Sequence, residues 1–378
     1  MDGGGSERQL LYLLQKLDRD RFEPLLYLLY ETGTLLEEVP SDVRRFAFWS
    51  DYDYPKWNWP GRIHGMQVRH LKSVLNDHKI DVVYDRLFHM TMVTGPATLN
   101  LGVPRASTIV SPPQFDLTKS EKRWLAWKRR SLRKAYATTD ALLTVGTGTA
   151  DNAAQYYHIP REKFQVMLSP IDIDRIDSES NRAWTGPVLR PNRKHIVSIG
   201  RLSDEKGHRY LIQAFAKYSQ LVTLDLVPAA DLHIVGEGVL RRELESLTSQ
   251  LGIHENVFFH GQVHSPFALL KQCDLLCLPS LYEGMPNALL EAMACRVPVL
   301  ATNTAQGAGE LLRTYPLGTL VPKANSEELA NALRDRFENP ATWLSRIEPA
   351  RHYVESHHAM SNWINNISQV LSRIAKKP

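Results

Sequence analysis

Two glutamates with seven residues between them, Glu283 and Glu291, and a neighbouring pair of cations, Arg201 and Lys206, are the side chains whose types and spacing suit chemistry. The string Glu283-Gly-Met-Pro-Asn-Ala-Leu-Leu-Glu291 reads as a loop entering a helix. Pro286 suits the first helical turn, where a missing N–H costs nothing. Glu283 and the Gly284, Met285, Pro286 and Asn287 backbone then stand at the helix's positive end, where unpaired N–H groups can face an anion or a sugar hydroxyl. Glu291 lies more than one turn further in, so the two carboxylates would serve different parts of one ligand. An isolated pair at this spacing would equally suit a helix with both glutamates in water. Its place after a strand end favours the functional reading.

Gly200-Arg201-Leu-Ser-Asp-Glu-Lys206-Gly207 brings two cations to another strand end. A departing diphosphate needs such charge, because negative charge collects on it as its bond to a sugar breaks. Arg offers a planar fork to phosphate oxygens and Lys a point charge. The bland alternative is a basic surface turn. Gly236-Glu-Gly238 more often marks a tight turn, and Arg241 stands where a dinucleotide fingerprint needs its third glycine, which argues against an NAD enzyme. At His260-Gly261-Gln262 the backbone could approach a nucleotide base. Gly3-Gly4-Gly5 would let the backbone come close to phosphate.

The elements that must position these groups follow an α/β rhythm. In the second half, short apolar runs begin at His195, Asp231, Val257, Asp274, Val297 and Thr319, separated by helical patterns such as Arg209–Tyr218, Leu240–Leu251 and Ala288–Cys295. Such runs imply a parallel sheet covered on both faces, which binds ligands at its strand carboxyl ends. The first half carries strand candidates at Pro24–Tyr30, Arg45–Trp49, Val82–Tyr84, Arg105–Val110, Leu142–Val145 and Phe164–Leu168. Its helical patterns include Glu7–Leu17, Arg62–Asn76 and Ser120–Tyr136. Ser219–Ala230 is expected to lengthen a loop. The expected organisation is two doubly wound, Rossmann-like domains facing a cleft, residues 1–170 and 171–358, with residues 359–378 a helix packing back toward the first. A doubly wound domain would place its central first strand ahead of Gly3-Gly4-Gly5, and that strand is expected to lie upstream of Met1.

A length of 378 residues accommodates two cores, and 43% hydrophobic with 23% charged residues is ordinary for a globular protein. A formal charge of +4 is too mild to point to nucleic acid. No signal-peptide pattern and no run of roughly 20 apolar residues occurs. Cys273, Cys277 and Cys295 read as small buried hydrophobes. Together these imply a reduced, cytoplasmic protein.

The strings GGGSER, SPIDIDRI, IGRLSDEKG, IVGEG, VFFHGQV and PSLYEGMPNALLEAMACRVPVLAT together resemble the retaining GT-B glycosyltransferases of family 4, the group 1 glycosyltransferases. That family includes many lipopolysaccharide, capsule and glycolipid transferases. The resemblance covers nearly the whole chain and is strongest from His195 to about Leu333. It implies that Arg201 and Lys206 hold the donor diphosphate and that Glu283 lies beside the donor sugar, with Gly284 to Asn287 in the donor-contacting loop. Glu291 would bind the ribose hydroxyls, and Leu290 would be among the donor-binding residues. Gly4 and Gly5 would form a loop near the phosphates, and Gly261 and Gln262 would hold the base through the backbone. The donor implied is a nucleotide diphosphate-sugar, a UDP-sugar by family frequency. The reaction implied keeps anomeric configuration and requires neither cofactor nor metal. Asp51-Tyr-Asp53 and Asp172-Ile-Asp174 have metal-binding spacing, but turn and hinge positions account for them. Ser169 stands where Asn is usual, and Ser111-Pro112-Pro113 where many relatives carry a His. His89, in the preceding strand-to-helix region, reads as an ordinary surface histidine, the alternative being that it substitutes for that His.

Thr118–Tyr136 carries eight Lys or Arg against one acid, Glu121, with Trp124, Leu125, Leu132, Ala135 and Tyr136 on one helical face. It suits either an anionic membrane surface or a domain helix with a solvated basic side. A polyprenyl-diphosphate-linked sugar or another glycan or glycolipid is the acceptor expected. Alternatives of similar fold are a sugar-nucleotide epimerase and a non-catalytic sugar-nucleotide-binding protein; a phosphorylase would need a longer chain.

Overall fold

The computed structural model describes residues 5–57, 59–120 and 124–375. The chain divides into two compact units, Met1–Pro170 with Ser361–Pro378, and Ile171–Met360.

In the second unit the apolar runs become six strands: β7 (Lys194–Ile199), β8 (Ala230–Val235), β9 (Val257–Gly261), β10 (Leu275–Leu278), β11 (Val299–Thr302) and β12 (Thr319–Val321). All pair in parallel, in the order β12-β11-β10-β7-β8-β9. The period of two sends neighbours to opposite faces. Val197, Leu276 and Leu278 enter a core with Leu289, Leu290 and Met293. Ile196, Leu275 and Cys277 enter another with Phe215, Leu329 and Leu333. Each fully buried Leu or Phe contributes about 1.5–3 kcal/mol. The chain winds outward from β7 to β9, then returns across β7 to β10. That reversal opens a crevice at the carboxyl ends of β7 and β10.

In the first unit, β3 (Val83–Arg86), β4 (Arg105–Ile109), β5 (Ala141–Thr144) and β6 (Phe164–Val166) form one parallel sheet, and β1 (Leu25–Leu28) with β2 (Arg44–Ala47) a second. Among the described residues no strand hydrogen-bonds β1 to β3. A buried ion pair, Arg105 Nη1 to Asp85 Oδ2 at 3.3 Å, ties β4 to β3. Thr91 and Thr94 donate to the same carboxylate at 2.6 and 2.7 Å, which offsets its burial. The terminal helix Met360–Ala375 buries Trp363, Ile367, Leu371 and Ile374, and Ser372 accepts from Arg21 at 3.1 Å.

Three element expectations change. The basic segment is not one helix: helices Pro113–Ser120 and Leu125–Ala137 flank Trp124, whose φ of 62° is left-handed. That residue resets the helical phase at Leu125, so Trp124 leaves the face on which Leu132, Ala135 and Tyr136 are buried. The helix after Glu283 spans Asn287–Ala294, with Pro286 as its extended N-cap residue, because φ, ψ of −74°, 115° keeps Pro286 outside the helix. The insert after Ser219 begins as helix, since His208–Val222 continues to bury its apolar stripe. All three cysteines are buried and free. Among the described residues no helix is long and apolar enough to cross a membrane.

Candidate functional site

The crevice of the second unit is built by loops that pack backbone against backbone. After β7, Gly200-Arg201-Leu202 runs into a short turn, Asp204–Lys206, that ends in left-handed Gly207 (φ 66°). A Cβ on Gly207 would sit 2.0 Å from the Pro279 carbonyl oxygen, so only glycine lets this loop touch the one after β10. The Leu281 amide donates to the Glu205 carbonyl at 2.7 Å and joins the same two loops. Their side chains meet as a consequence. Lys206 Nζ donates to Glu283 Oε1 at 2.5 Å, and Ser280 Oγ donates to the same oxygen at 2.9 Å. Both partners are largely shielded, so the pair is held where water screens it weakly. Arg201 stands exposed at the same strand end.

A third loop supports Glu283 from below. The Thr302 hydroxyl donates to the Ser280 carbonyl at the end of β11. Gly307 (φ 61°) lies so close that a Cβ would be 2.5 Å from the Gly284 oxygen and 3.1 Å from Glu283 Cβ. The sequence marked Ser280 as a strand-ending residue where chemistry is expected, but it passed over Thr302 and Gly307, whose one legible signal is position at and after the end of β11.

The remaining expected residues divide. Gly284 and Pro286 are buried, while Met285, Asn287 and Glu291 are half-buried at and beyond the start of the Asn287–Ala294 helix. The Leu290 side chain is fully buried in the core with Leu289 and Met293, where helical spacing points it inward. Gly261 (φ 70°) accepts at its carbonyl from the Gly236 amide at 2.8 Å, and Gly236 packs its Cα against the Gly200 carbonyl. The β9 end thereby joins the same row of loops, with Gln262 exposed beside it. Gly4 lies outside the described residues, and Gly5 opens the helix Gly5–Lys16. Asp172 caps the helix Ile173–Ser180 by accepting from the Arg175 amide at 3.1 Å, and Asp51 pairs with His70 at 3.1 Å. His89 is exposed against Phe88.

A histidine series also went unforeseen. His195, His233 and His260 lie on one face of β7, β8 and β9, with ring nitrogens 3.1 and 3.0 Å apart. Burial first, then His260 and His195, push His233 down to about 3. Donor atoms of His195, Asp231 and His233 lie within 4.8 Å of one another, but Arg190 and Arg193 both occupy the Asp231 carboxylate. With that carboxylate already paired to two arginines, the arrangement suits a hydrogen-bonded row of imidazoles better than a metal ion.

The family model for glycosyl transferases group 1 matches residues 185–355, and that for glycosyltransferase family 4 matches residues 3–175. The chain belongs to the group 1 glycosyltransferases of family 4. Within the family it is 30% identical over 204 residues to an N-acetylgalactosamine-N,N'-diacetylbacillosaminyl-diphospho-undecaprenol 4-alpha-N-acetylgalactosaminyltransferase of Campylobacter jejuni, covering 54% of this chain and 52% of that one. The chain thus spans about half the length of the first curated relatives it matches. A second C. jejuni relative, the GalNAc-alpha-(1->4)-GalNAc-alpha-(1->3)-diNAcBac-PP-undecaprenol alpha-1,4-N-acetyl-D-galactosaminyltransferase, is 26% identical over 98% of this chain and 96% of its own. The fold is shared with Anabaena HepE, solved in complex with UDP, at a TM-score of 0.75 and 21% identity over 98% of this chain and 96% of that one. The family's GT-B fold agrees with the parallel α/β sheets of both units.

Proposed function

We propose that this chain is a retaining glycosyltransferase. It moves a hexosyl or N-acetylhexosaminyl group from a UDP-sugar to a polyprenyl-diphosphate-linked or related glycan acceptor, in making cell-surface polysaccharide or glycolipid. The observation that carries the reading is the Lys206–Glu283 pair, held at the switch point of a doubly wound sheet, with exposed Arg201 on the same loop as Lys206. The relatives' undecaprenol-diphosphate acceptors and the UDP bound by HepE support the substrate classes.

In this mechanism Arg201 and Lys206 neutralise the diphosphate as the bond from its oxygen to the anomeric carbon breaks. Glu283 accepts a hydroxyl of the donor sugar, and the Gly284–Asn287 backbone cradles it at the helix N-terminus. Glu291 accepts the ribose hydroxyls, while the backbone around Gly261 and Gln262 holds the base. The acceptor oxygen bonds to the anomeric carbon on the face the leaving group vacates, and its proton passes to the departing phosphate oxygen. The reaction thus keeps the anomeric configuration and requires no protein base. The test is incubation with a panel of UDP-, GDP-, ADP- and TDP-sugars and an undecaprenyl-diphosphate-linked saccharide, with the product's anomeric linkage read by NMR. An α-linked product from an α-linked UDP-sugar is expected. An inverted linkage overturns the mechanism, and activity with another nucleotide overturns the donor.

A further inference from the structure

The first unit buries a cation whose partners are all neutral. Arg86, the last residue of β3, is 8% exposed. Its guanidinium donates from Nη1 to the Tyr84 hydroxyl at 2.9 Å and from Nη2 to the side-chain carbonyl of Gln9. A guanidinium carries five N–H donors. Two are used here, so three remain, and Nε is buried with no partner among the described residues. Two acids lie near it on the same elements. Asp85 points to the other face of the sheet, as the period of two requires, and already accepts from Arg105, Ser107, Thr91 and Thr94. Glu7 shares the helix Gly5–Lys16 with Gln9, but positions i and i+2 of a helix do not face one another.

The side chains around Arg86 add donors rather than acceptors. Thr108 is its Cα partner on β4 and therefore lies on the same face, where its hydroxyl meets that of Tyr84 at 3.0 Å. The Tyr84 oxygen already accepts from Arg86. Whichever of the two hydroxyls donates to the other, one hydroxyl proton of the pair is left to point elsewhere. The next residue is strained: Leu87 has φ 69° and ψ 141°, in the region that favours glycine, and no side chain caps the helix Phe88–Leu99 that it precedes. Strain of this kind gathers at ligand sites, where the surrounding structure holds it in place. The cluster stands at the carboxyl ends of β3 and β4, the edge at which a parallel α/β sheet takes its ligands. Burying a guanidinium against neutral partners alone is costly, and an anion that accepts the spare N–H and O–H groups removes that cost. A planar fork flanked by hydroxyls matches the oxygens of a phosphate.

We propose that Arg86, Tyr84 and Thr108 form a diphosphate-binding site in the first unit. Both substrates of the proposed reaction carry a diphosphate ester. The donor's already has Arg201 and Lys206 in the second unit, so Arg86 takes the acceptor's and makes the enzyme selective for diphosphate-linked over phosphate-free saccharides. This assignment rests on the lipid-diphosphate acceptor proposed above.

The test compares R86Q, R86K and Y84F with the wild type on two acceptors: a short-chain prenyl-diphosphate-linked saccharide and an alkyl glycoside of the same saccharide. R86Q is expected to lower kcat/KM for the first about 10- to 100-fold more than for the second, chiefly by raising KM. R86K keeps the charge without the fork and should recover part of the loss. Y84F leaves the buried cation in place and should lower the same selectivity about threefold. Equal losses on both acceptors in all three variants overturn the proposal and make Arg86 a strut between β3 and the helix Gly5–Lys16. A rise in KM for the UDP-sugar alone overturns it by giving the site to the donor. A second arm needs no transfer: with UDP saturating, inorganic pyrophosphate should raise the melting temperature of the wild type and not that of R86Q. No shift in the wild type, or the same shift in R86Q, overturns the site. If pyrophosphate binds through Arg86 yet no diphosphate-linked saccharide is glycosylated, the acceptor reading fails and the site stands.

Discussion

Lys206 has a flexible four-carbon stem, and its ammonium would ordinarily sample a wide volume of water. Here Gly200 packs along that stem, with methylenes 3.5–3.7 Å from where a Cβ would be, and Glu283 holds the charge. Ser280 fixes Glu283 from the other side. On the proposed function, a diphosphate entering the crevice would compete with Glu283 for Lys206. Lys206→Met is expected to lower transfer by about 100-fold or more, measured as kcat/KM, because the developing phosphate charge loses its partner. Glu283→Gln keeps the shape but accepts hydrogen bonds less strongly. It should lower kcat by about tenfold or more while shifting the melting temperature little. An unchanged rate in Lys206→Met would remove Lys206 from the chemistry.

At the scale of elements, the site consists of strand-to-helix loops locked together where no side chain fits. Gly307 tests this directly. Its left-handed backbone and its closeness to the Gly284 carbonyl mean that Gly307→Ala must push the Glu283 loop aside. A stability loss of about 1–3 kcal/mol is expected, together with a fall in kcat larger than any change in donor affinity. Gly102 is the matching control, with φ 67° and no atom within 4 Å of its Cβ position. Gly102→Ala should cost about 1 kcal/mol from backbone strain alone and leave the turnover of folded enzyme intact. Equal activity in the two variants would show that loop packing does not set the Glu283 position.

At the scale of the whole molecule, buried histidines and the terminal helix set the response to pH and truncation. His208 is held down to about 4 by burial and then by Lys206, and His233 to about 3. Both are neutral when folded and take up a proton near 6.5 when unfolded, so their contribution is complete above that pH. It is lost as pH falls from about 6.5 toward 4 for His208 and toward 3 for His233. The melting temperature should decline steadily across that range, and less so in His233→Phe if that variant packs. A flat profile from pH 7 to 4 would contradict the assignment. Trp363 and Ile367 bury the terminal helix in the first unit. Trp363→Ala is expected to destabilise that unit by about 3–5 kcal/mol, measured by denaturant unfolding.

Several features of this protein were legible in its sequence alone. Apolar runs at regular spacing marked strands β7 to β12, because a strand buried on both faces must be apolar along its length, while β1 to β6 carried weaker signals: β2 reads Arg-Arg-Phe-Ala and β6 is exposed at two of its three residues. The resemblance carried by the motifs pointed to the family that the comparisons show. The sequence also placed Arg201, Lys206 and Glu283 at strand ends, since glycine and proline punctuate those boundaries. Tertiary structure decided what touches what. Lys206 and Glu283 are 77 residues apart and meet because the sheet order sets β7 beside β10, which no local period encodes. Leu290 turned inward and Trp124 outward for a related reason: helical phase depends on where each helix begins, and that was settled by Pro286 and by the left-handed residue ahead of Leu125. Gly307, Ser280 and the histidine series act through contacts between loops and strands distant in the chain. Their roles exist only once the sheet has assembled.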